Sequence, residues 1–419
     1  MIDYAYSMMQ SSGSEVVVAL LIGFVAGYLT RSVAYSQSDS LSGDGMSSAS
    51  RGDDDRYADK MEFDYGVLSG AGGEKERFVK VFPYTKSLIL KSMSSLSMPS
   101  DAIDWVSEVI EYNVQGGKLN RGLTVLSCRT IIKSATPGHE GSDLTDPEFV
   151  RTSVLGWCVE YLQAFFLVAD DVMDNSETRR GKPCWYKVPK VGVVAINDSF
   201  ILESCVFQLI DHHFCGSVKH MLKDIFLEVV NYTEYGQLLD LTSQPTNGPI
   251  DLDRFTADRY DMIVKFKTSY YTFYLPIAIS MVLSGITNPE AFRGAKRVCE
   301  EMGKYFQVQD DYLDCYGDSV TIGKVGTDIQ DSKCSWLVVQ ALKLCDGKQR
   351  KVINSNYGSW DGKKVQRIKA LYEELNLEGK FREYEEDSYA RIKGMIGKVE
   401  EVPSEVFDVL LKKIYKREK

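Results

Sequence analysis

Histidine is scarce in this sequence, and its cysteines lack the spacing of zinc sites and disulfide frameworks. Only four histidines occur in 419 residues, and none lies near a candidate nucleophile, which argues against a histidine-dependent triad. The nine cysteines form no C-x-x-C pair and lie mostly in apolar runs, so they indicate reduced core thiols in a cytosolic compartment. The sequence has no G-x-x-x-x-G-K-[ST] motif and therefore does not predict a nucleotide-binding P-loop.

Positive charge is also in deficit. The formal net charge is −10, which argues against nucleic-acid binding by the domain as a whole. The composition is otherwise that of a globular protein, with 44% hydrophobic and 26% charged residues. A chain of 419 residues can build a large core, and its length allows two or three domains or one large helical domain.

The first 75 residues differ from the rest of the chain. The run VVVALLIGFVAGYL at 16–29 has no charge, but it is shorter than the roughly 20 residues that usually span a membrane. The acidic flank with Asp3 and Glu15 does not match a secretory signal, and Arg31 would keep the following chain in the cytoplasm. Two interpretations stay open: a membrane anchor, with the endoplasmic reticulum as one candidate destination, or a poorly ordered tail. The Ser-, Gly- and Asp-rich stretch that follows is typical of a flexible linker.

From residue 76 onwards the pattern predicts helices, and alternating strand patterns with hairpin turns are hard to find. In PSDAIDWVSEVIEYNVQGG, Ile103, Val106 and Ile110 have helical spacing between a Ser-Asp start and a Gly-Gly stop. The expected fold is all-α, with an N-terminal extension over 1–75 and one large domain over 76–419.

Two further helices carry specific expectations. The segment AINDSFILESCVFQLIDHHF is predicted to start after a cap formed by Asn197 and Asp198. The apolar segment DRYDMIVKFKTSYYTFYLPIAISMVLSGI is predicted to be a buried helix that kinks at Pro276.

Two aspartate clusters with the same spacing, DDVMD and DDYLD, end apolar runs. On a helix, Asp170 and Asp174 share one face, as do Asp310 and Asp314, so each pair repels unless a cation binds between its members. Carboxylates at this spacing suit Mg²⁺, which keeps several waters and is usually shared with substrate phosphates. A solvated acidic helix end would explain one cluster, but two clusters with apolar flanks indicate that both face an interior cavity.

Basic residues accompany these clusters in short motifs. Each alone fits a solvated surface position, but together they supply the forked guanidinium contacts and ammonium charges that two diphosphates require. They are Lys118 and Arg121 in GGKLNRG, Arg179 and Arg180 in ETRRGKPCWY, Lys267 in KFKTSYY, and Lys324 and Lys333 in TIGKVGTDIQDSKCSW.

The motifs GGKLNRG, LQAFFLVADDVMDNSETRRGKPCWY, KFKTSYYTFYLP and FQVQDDYLDCYGD together resemble the short-chain trans-prenyltransferases of the polyprenyl synthetase family. The likeness runs from about residue 76 to the C-terminal KKIYKREK. It implies a homodimeric helical bundle of the isoprenoid synthase type around a central diphosphate-binding cavity. The implied reaction is the head-to-tail condensation of dimethylallyl and geranyl diphosphate with isopentenyl diphosphate, which gives a fifteen-carbon product for isoprenoid and sterol biosynthesis.

The resemblance implies three Mg²⁺ ions in each active site. With Arg179, Lys267 and Lys324 these ions would neutralise the departing allylic diphosphate, which stabilises charge that develops in the transition state. Asp328 is expected to assist the second cluster. The expected metal ligands are Asp170, Asp171, Asp174, Asp310, Asp311 and Asp314.

The resemblance also implies how the allylic cation is stabilised and where the second substrate binds. The cation would lie near the Lys267 carbonyl, the Thr268 hydroxyl and the Gln307 amide oxygen, and the diphosphate itself would remove the final proton. The basic C-terminus would close over a metal-free isopentenyl pocket, although Glu418 replaces a usual basic residue. Expected substrate contacts are Lys118, Asn120, Arg121, Gln163, Arg179, Arg180, Lys267, Thr268, Gln307, Lys324, Lys333, Arg417 and Lys419.

Two aromatic residues precede the first cluster and are predicted to set the product length. Phe165 and Phe166 lie five and four positions before Asp170, which on a helix is roughly 7.5 and 6 Å from the metal site along the axis. A growing chain whose diphosphate is held at the metals would meet these rings. The alternative is that both are ordinary core aromatics.

Three rival functions share part of this pattern. A terpene cyclase normally has an N-S-E-type second motif, and both it and a head-to-head coupling enzyme lack the GGKLNRG pocket. A catalytically inactive regulatory subunit usually loses one aspartate cluster, and both clusters are intact in this chain.

Overall fold

Helices dominate the regular structure, as predicted, and the all-α fold class is confirmed. A computed structural model describes residues 61–243, 250–317 and 326–416. The helices are α1 (Glu74–Ser95), α2 (Ser100–Val114), α3 (Asn120–Ala135), α4 (Asp146–Met173), α5 (Ala195–His213), α6 (Gly216–Leu241), α7 (Ala257–Val264), α8 (Leu275–Leu283), α9 (Pro289–Tyr316), α10 (Trp336–Leu344), α11 (Gly347–Asn356), α12 (Gly362–Glu374), α13 (Leu377–Ile396) and α14 (Ser404–Ile414). A π-helical segment, Lys265–Tyr274, joins α7 to α8, and the two-residue strands β1 (Thr178–Arg179) and β2 (Lys182–Pro183) form a small hairpin.

The central helix is α4, which is buried along most of its length. A capping box between Thr145 and Glu148 defines its start. Its apolar faces pack against α1, α2, α3 and α5, where Trp157 stacks on Phe78 with ring centroids 4.6 Å apart. By length and composition, α4 and the run Gly192–His213 are the two described segments that could cross a membrane, but 78% of the apolar window in α4 is buried. This burial is that of a core helix, and it brings the first aspartate cluster to the end of the core.

The predicted cap of α5 is wrong. The helix already begins at Ala195, and Asp198 lies inside it with no exposed surface. The indole N–H groups of Trp105 and Trp185 donate hydrogen bonds to its two carboxylate oxygens at 2.9 and 2.8 Å. A buried carboxylate requires such hydrogen-bond donors. Through them, Asp198 links α5 to α2 and to the turn after the hairpin.

The helix predicted to kink at Pro276 is divided into α7, the π-helical segment and α8, with Pro276 in the first turn of α8. A π-helix is rare, and short π-helical stretches occur frequently at functional sites. Two glycines let the neighbouring helices approach it very closely. A Cβ atom on Gly236 of α6 would lie 2.0 Å from the backbone nitrogen of Lys267. A Cβ atom on Gly303 of α9 would lie 2.0 Å from the hydroxyl oxygen of Ser269. The segment is thus wedged between α6 and α9.

The described fold begins before the predicted boundary at residue 75. The Phe63 ring packs edge-on against Tyr84 of α1 at 5.1 Å, and Leu68 is buried. Residues 61–73 therefore contribute to the core of the unit Asp53–Lys419. The predicted core role of the cysteines fits their positions, since seven of the nine are buried.

Candidate active site

The outer carboxylates of the first cluster lie at the end of α4 and contact cations from other elements. Asp170 accepts hydrogen bonds from the Gln237 amide at 2.9 Å and the Lys267 ammonium at 3.4 Å. Asp174 accepts one from Lys333 at 3.0 Å. The structure thus brings the predicted residues Asp170, Asp174, Lys267 and Lys333 together.

Asp240 at the end of α6 links the two lysines. It is buried, and its carboxylate lies 2.6 Å from the Lys267 ammonium and 3.2 Å from that of Lys333. Burial alone would raise the pKa of Asp240, but these two ammonium groups lower it below its usual value. Sequence reasoning missed Asp240 and Gln237. Their three-residue spacing in GQLLD places both on one face near the end of a long helix, and this spacing was the available signal.

The first cluster has the electrostatics of a cation site. Burial raises the pKa of Asp174, and the Asp170 carboxylate raises it further, while Lys333 opposes both effects. No cage of three or more His, Cys, Asp or Glu side chains occurs within the part of the chain that the structure describes. Paired carboxylates with lysines nearby instead fit Mg²⁺ that shares its coordination with substrate phosphates and water.

The middle aspartate of the first cluster faces inward. Asp171 is 3% exposed, and the Arg179 guanidinium donates to its carboxylate through Nε at 3.0 Å and through Nη2. Arg179 also approaches Asp170 at 3.6 Å. This forked ion pair holds β1 against the end of α4. The contact of Arg179 with a diphosphate stays a prediction.

The second cluster is arranged similarly on α9. Asp310 and Asp314 are half-buried, and Asp314 accepts a hydrogen bond from the backbone N–H of Asp328 at 3.0 Å. Asp311 is 5% exposed and accepts from the Trp336 backbone N–H at 2.7 Å and from the Gln307 amide at 3.0 Å. Burial raises the pKa of Asp311 to about 7.

The π-helical segment forms the wall between the two clusters. Its Lys267 reaches Asp170, while the neighbouring Thr268 hydroxyl donates to the Gln307 amide oxygen at 3.0 Å. Gln307 lies one turn before Asp311 on α9. Side-chain contacts thus run from Asp170 of the first cluster through Lys267 and Thr268 to Gln307 and Asp311 of the second, and a shared cavity stays a prediction.

A second group of cations lies beside α3. Arg121 donates to Gln163 at 3.1 Å, to the Tyr271 hydroxyl at 2.9 Å and to Thr272 at 2.9 Å, and its guanidinium lies over the Tyr271 ring. All of these partners are neutral. Lys118 and Asn120 are exposed next to it, at the start of α3.

Arg180 completes this group through the hairpin. Burial lowers its pKa, and the neighbouring Arg179 and Arg121 lower it further, although Glu160 acts in the opposite direction. Arg180 and Gly181 have positive φ angles of 54° and 74°, which matches a two-residue type I′ turn. The turn places the guanidinium against Gly117, where an added Cβ atom would lie 3.0 Å from it. These clustered positive charges favour an anion.

Phe165 and Phe166 lie on α4 one turn before Asp170. Phe165 is 5% exposed, Phe166 is partly buried, and their ring centroids are 4.7 Å apart. Phe166 packs edge-on against Tyr271 at 5.6 Å. Four predicted features lie outside the described residues: Lys324, Arg417, Lys419 and the apolar run 16–29.

An all-α fold with an aspartate cluster near the ends of two helices and a group of arginines beside the first is the arrangement expected of a diphosphate-using prenyltransferase. The polyprenyl synthetase family model matches residues 103–375, and the chain belongs to this family. It is 47% identical over 359 residues to farnesyl diphosphate synthase of Dictyostelium discoideum, across 84% of this chain and 92% of that protein. It is 46% identical over 355 residues to farnesyl pyrophosphate synthase of Bos taurus, across 84% of this chain and 98% of that protein.

Solved structures agree with these sequence relatives. The chain is similar to T. brucei farnesyl diphosphate synthase complexed with risedronate, with a TM-score of 0.74 and 34% identity. That similarity covers 83% of this chain and all of the other. A second structure of the T. brucei enzyme, complexed with minodronate, has a TM-score of 0.76 at 34% identity.

Proposed function

We propose that this protein makes farnesyl diphosphate by condensing dimethylallyl diphosphate, and then geranyl diphosphate, with isopentenyl diphosphate. The observation that supports the proposal is the chain of contacts between the clusters: Lys267 contacts Asp170, and the adjacent Thr268 contacts Gln307, which donates to Asp311. A separate group with Arg121 lies alongside. Such a site can hold an allylic diphosphate on one side and a second diphosphate on the other.

Asp170, Asp174 and Asp310 would hold three Mg²⁺ ions, with Asp314 and Asp328 supporting the second cluster. When bound, these ions neutralise the diphosphate that leaves the allylic carbon. Lys267 and Lys333 add ammonium charges to the same region, because both already contact carboxylates of the site. Asp240 would hold the two ammonium groups in place before the substrate arrives.

The allylic carbon becomes positive as the diphosphate leaves. The Lys267 carbonyl, the Thr268 hydroxyl oxygen and the Gln307 amide oxygen would stabilise this charge without attacking the carbon. The hydrogen bond between Thr268 and Gln307 keeps two of these groups adjacent. The departing diphosphate would then take the proton that the added isopentenyl unit loses as its double bond re-forms, so no histidine base is required.

Isopentenyl diphosphate would bind the metal-free pocket of Lys118, Asn120, Arg121, Gln163 and Arg180. Arg121 donates to neutral side chains in the contacts described above, and its guanidinium can also make forked contacts with a diphosphate. Arg417 and Lys419 of the C-terminus would cover this pocket.

Incubation with Mg²⁺, labelled isopentenyl diphosphate and an allylic diphosphate tests the function. The expected product is the labelled fifteen-carbon diphosphate. A cyclic hydrocarbon would indicate a terpene cyclase, a head-to-head product would indicate a coupling enzyme, and no turnover would indicate a binding subunit.

Phe165 and Phe166 would set the product length, since both lie along α4 below the metal-binding end. Replacing them with Ala and Ser would open an apolar space that another isoprene unit can occupy. The double variant should make twenty-carbon or longer diphosphates, at a stability cost of ~3–5 kcal/mol for each fully buried ring. An unchanged fifteen-carbon product from a folded, active variant would assign both rings to the core alone.

The N-terminal extension would be dispensable for chemistry and would tether a cytoplasmic catalytic domain to a membrane such as the endoplasmic reticulum. A truncated chain that begins at residue 61 should keep full activity and stability. One that begins at Glu74 should lose stability, because it lacks Phe63 and Leu68, which pack on the core. Recovery of the full-length protein wholly in the supernatant after fractionation would refute the tether.

The catalytic unit would act as a homodimer. Exposed apolar side chains on and just before α5, including Val193, Ile196 and Phe200, and on α6, including Leu227 and Leu238, support such an interface. Light scattering on the purified protein distinguishes a dimer from a monomer, and Phe200→Glu should weaken the dimer.

A further inference from the structure

Asp311 belongs to the second aspartate cluster by sequence, but its side chain points into the protein. It is 5% exposed, and both carboxylate oxygens already accept hydrogen bonds. Oδ1 accepts from the Gln307 side-chain amide at 3.0 Å, and Oδ2 accepts from the Trp336 backbone N–H at 2.7 Å. The two oxygens thus face Gln307 and the start of α10 inside the protein.

The contact with Gln307 fixes the orientation of that amide. A glutamine amide has an oxygen that accepts and an NH₂ group that donates. The Gln307 NH₂ group donates to Asp311 and is therefore turned towards it. Its oxygen then points to Thr268, whose hydroxyl donates to it at 3.0 Å. Without Asp311 the amide could rotate by half a turn and present its positive NH₂ end to the same space.

The Trp336 contact holds the carboxylate itself in place. Trp336 is the first residue of α10, where backbone N–H groups and the helix dipole favour a negative charge. The chain of contacts runs from the start of α10 through Asp311 and Gln307 to Thr268 in the π-helical segment. Each group in it has one orientation that satisfies its neighbours.

We propose that Asp311 is a positioning residue that orients Gln307, so that the amide oxygen rather than the NH₂ group faces the allylic carbon. The proposal deepens the proposed function and depends on it. Asp311 acts on the reaction only through Gln307, and the metal ions of the second cluster are left to Asp310 and its neighbours.

A double-mutant cycle tests the coupling. Asp311→Asn keeps the volume but can donate to the glutamine oxygen, so it should lower kcat on the order of 100- to 1,000-fold, by analogy with the loss of one stabilising dipole. Gln307→Ala should have a similar effect. The double variant should be no slower than Gln307→Ala alone, because the effects of coupled residues do not add. Multiplied effects would overturn the proposal.

A second readout separates positioning from metal binding. Addition of Mg²⁺ with inorganic diphosphate should raise the melting temperature of Asp311→Asn as much as that of the wild type. The matched variant Asp310→Asn should lose most of this shift. Loss of the shift in Asp311→Asn as well would make Asp311 a ligand and refute the proposal.

A charge exchange covers the case in which Asp311→Asn does not fold. In the Gln307→Glu, Asp311→Asn variant, the new amide donates to the new carboxylate, and an acceptor again faces Thr268. This pair should be more active than Gln307→Glu alone, and the opposite order would refute the proposal. Wild-type product formation tests the proposed function separately, since the Asp311 proposal is judged only on comparisons among variants and on diphosphate binding.

Discussion

The two aspartate clusters share a spacing, a position near the end of a 28-residue helix and one inward carboxylate each. They differ in what surrounds that carboxylate. Asp171 at the end of α4 is paired with the guanidinium of Arg179. Asp311 of α9 is held by an amide and a backbone N–H, both neutral.

The same motif can therefore be stabilised in two ways. An ion pair with a partly exposed arginine depends on charge and weakens with salt, whereas neutral donors in a buried site depend on geometry. The first cluster thus contacts charged side chains, including the shared Lys267 and Lys333. The second is tied to the backbone of α10.

The largest effect is expected from the outward carboxylates, where the two clusters should behave alike. Asp170→Ala and Asp310→Ala should each lower turnover by several orders of magnitude, since each removes a proposed ligand to ions that would neutralise the leaving group. Steady-state kinetics with the allylic and isopentenyl substrates measure this. If one variant kept its activity, or if excess chelator had no effect, the clusters would not share a metal-dependent role.

The glycines on either side of the π-helical segment test the wall between the clusters. Gly236→Ala and Gly303→Ala should each lower the free energy of unfolding by about 3 kcal/mol or more, at the upper end of overpacking costs. Gly236→Ala should be worse, because its Cβ atom meets the backbone of Lys267 rather than a side chain. Urea unfolding measures both.

Gly394→Ala is the matched control, since it lies in α13 with no atom within 4 Å of the added carbon. It should be neutral or stabilising, by up to about 1 kcal/mol. Equal costs for all three alanines would show that the segment is not wedged.

A smaller effect should separate the two inward carboxylates. Asp171→Ala leaves Arg179 without its close partner and should cost about 3 kcal/mol of unfolding free energy. Asp311→Ala leaves neutral donors unsatisfied, at about 1–3 kcal/mol. Raising the salt to about 1 M should shrink only the Asp171 effect. Urea unfolding at two salt concentrations decides the matter, and identical salt responses would remove the distinction.

The smallest effect concerns pH. Lys333 lowers the pKa of Asp174, against the effects of burial and of Asp170, so Lys333→Gln should raise that pKa further. Asp174 acts when ionised, so the acidic limb of the pH–rate profile should move to higher pH. Lys333→Arg keeps the charge and should leave the limb in place. An unmoved limb in Lys333→Gln would mean that Asp174 does not control it.

Much of this arrangement was predictable from the sequence because it follows from helix geometry. The all-α class, the facing pairs of carboxylates and the nearby cations all come from spacing along one helix or from motifs beside it. The inward turn of Asp171 and Asp311 also follows, since neighbouring helical residues point about 100° apart. The sequence motifs predict all six aspartates as metal ligands, and the individual role of each stays a prediction.

Other features depend on contacts between distant segments. Asp198 has the pattern of a helix cap, and only the indoles of Trp105 and Trp185 make it a buried acceptor. The π-helical segment depends on Gly236 and Gly303, which belong to other helices. Asp240 is a lone carboxylate in sequence, and its role appears only where Lys267 and Lys333 converge on it. Periodicity cannot anticipate such partners.

The position of two indoles gives each cluster its own optical reporter. Trp185 is buried beside Arg179 and Arg180 of the first cluster's surroundings. Trp336 donates a hydrogen bond to Asp311 of the second cluster through its backbone N–H. Indole emission responds to polarity and to nearby charge, so binding at one cluster should change the fluorescence of one tryptophan more than that of the other. Differences in fluorescence between the wild type and the Trp185→Phe and Trp336→Phe variants would therefore follow binding at each cluster separately, without an added label.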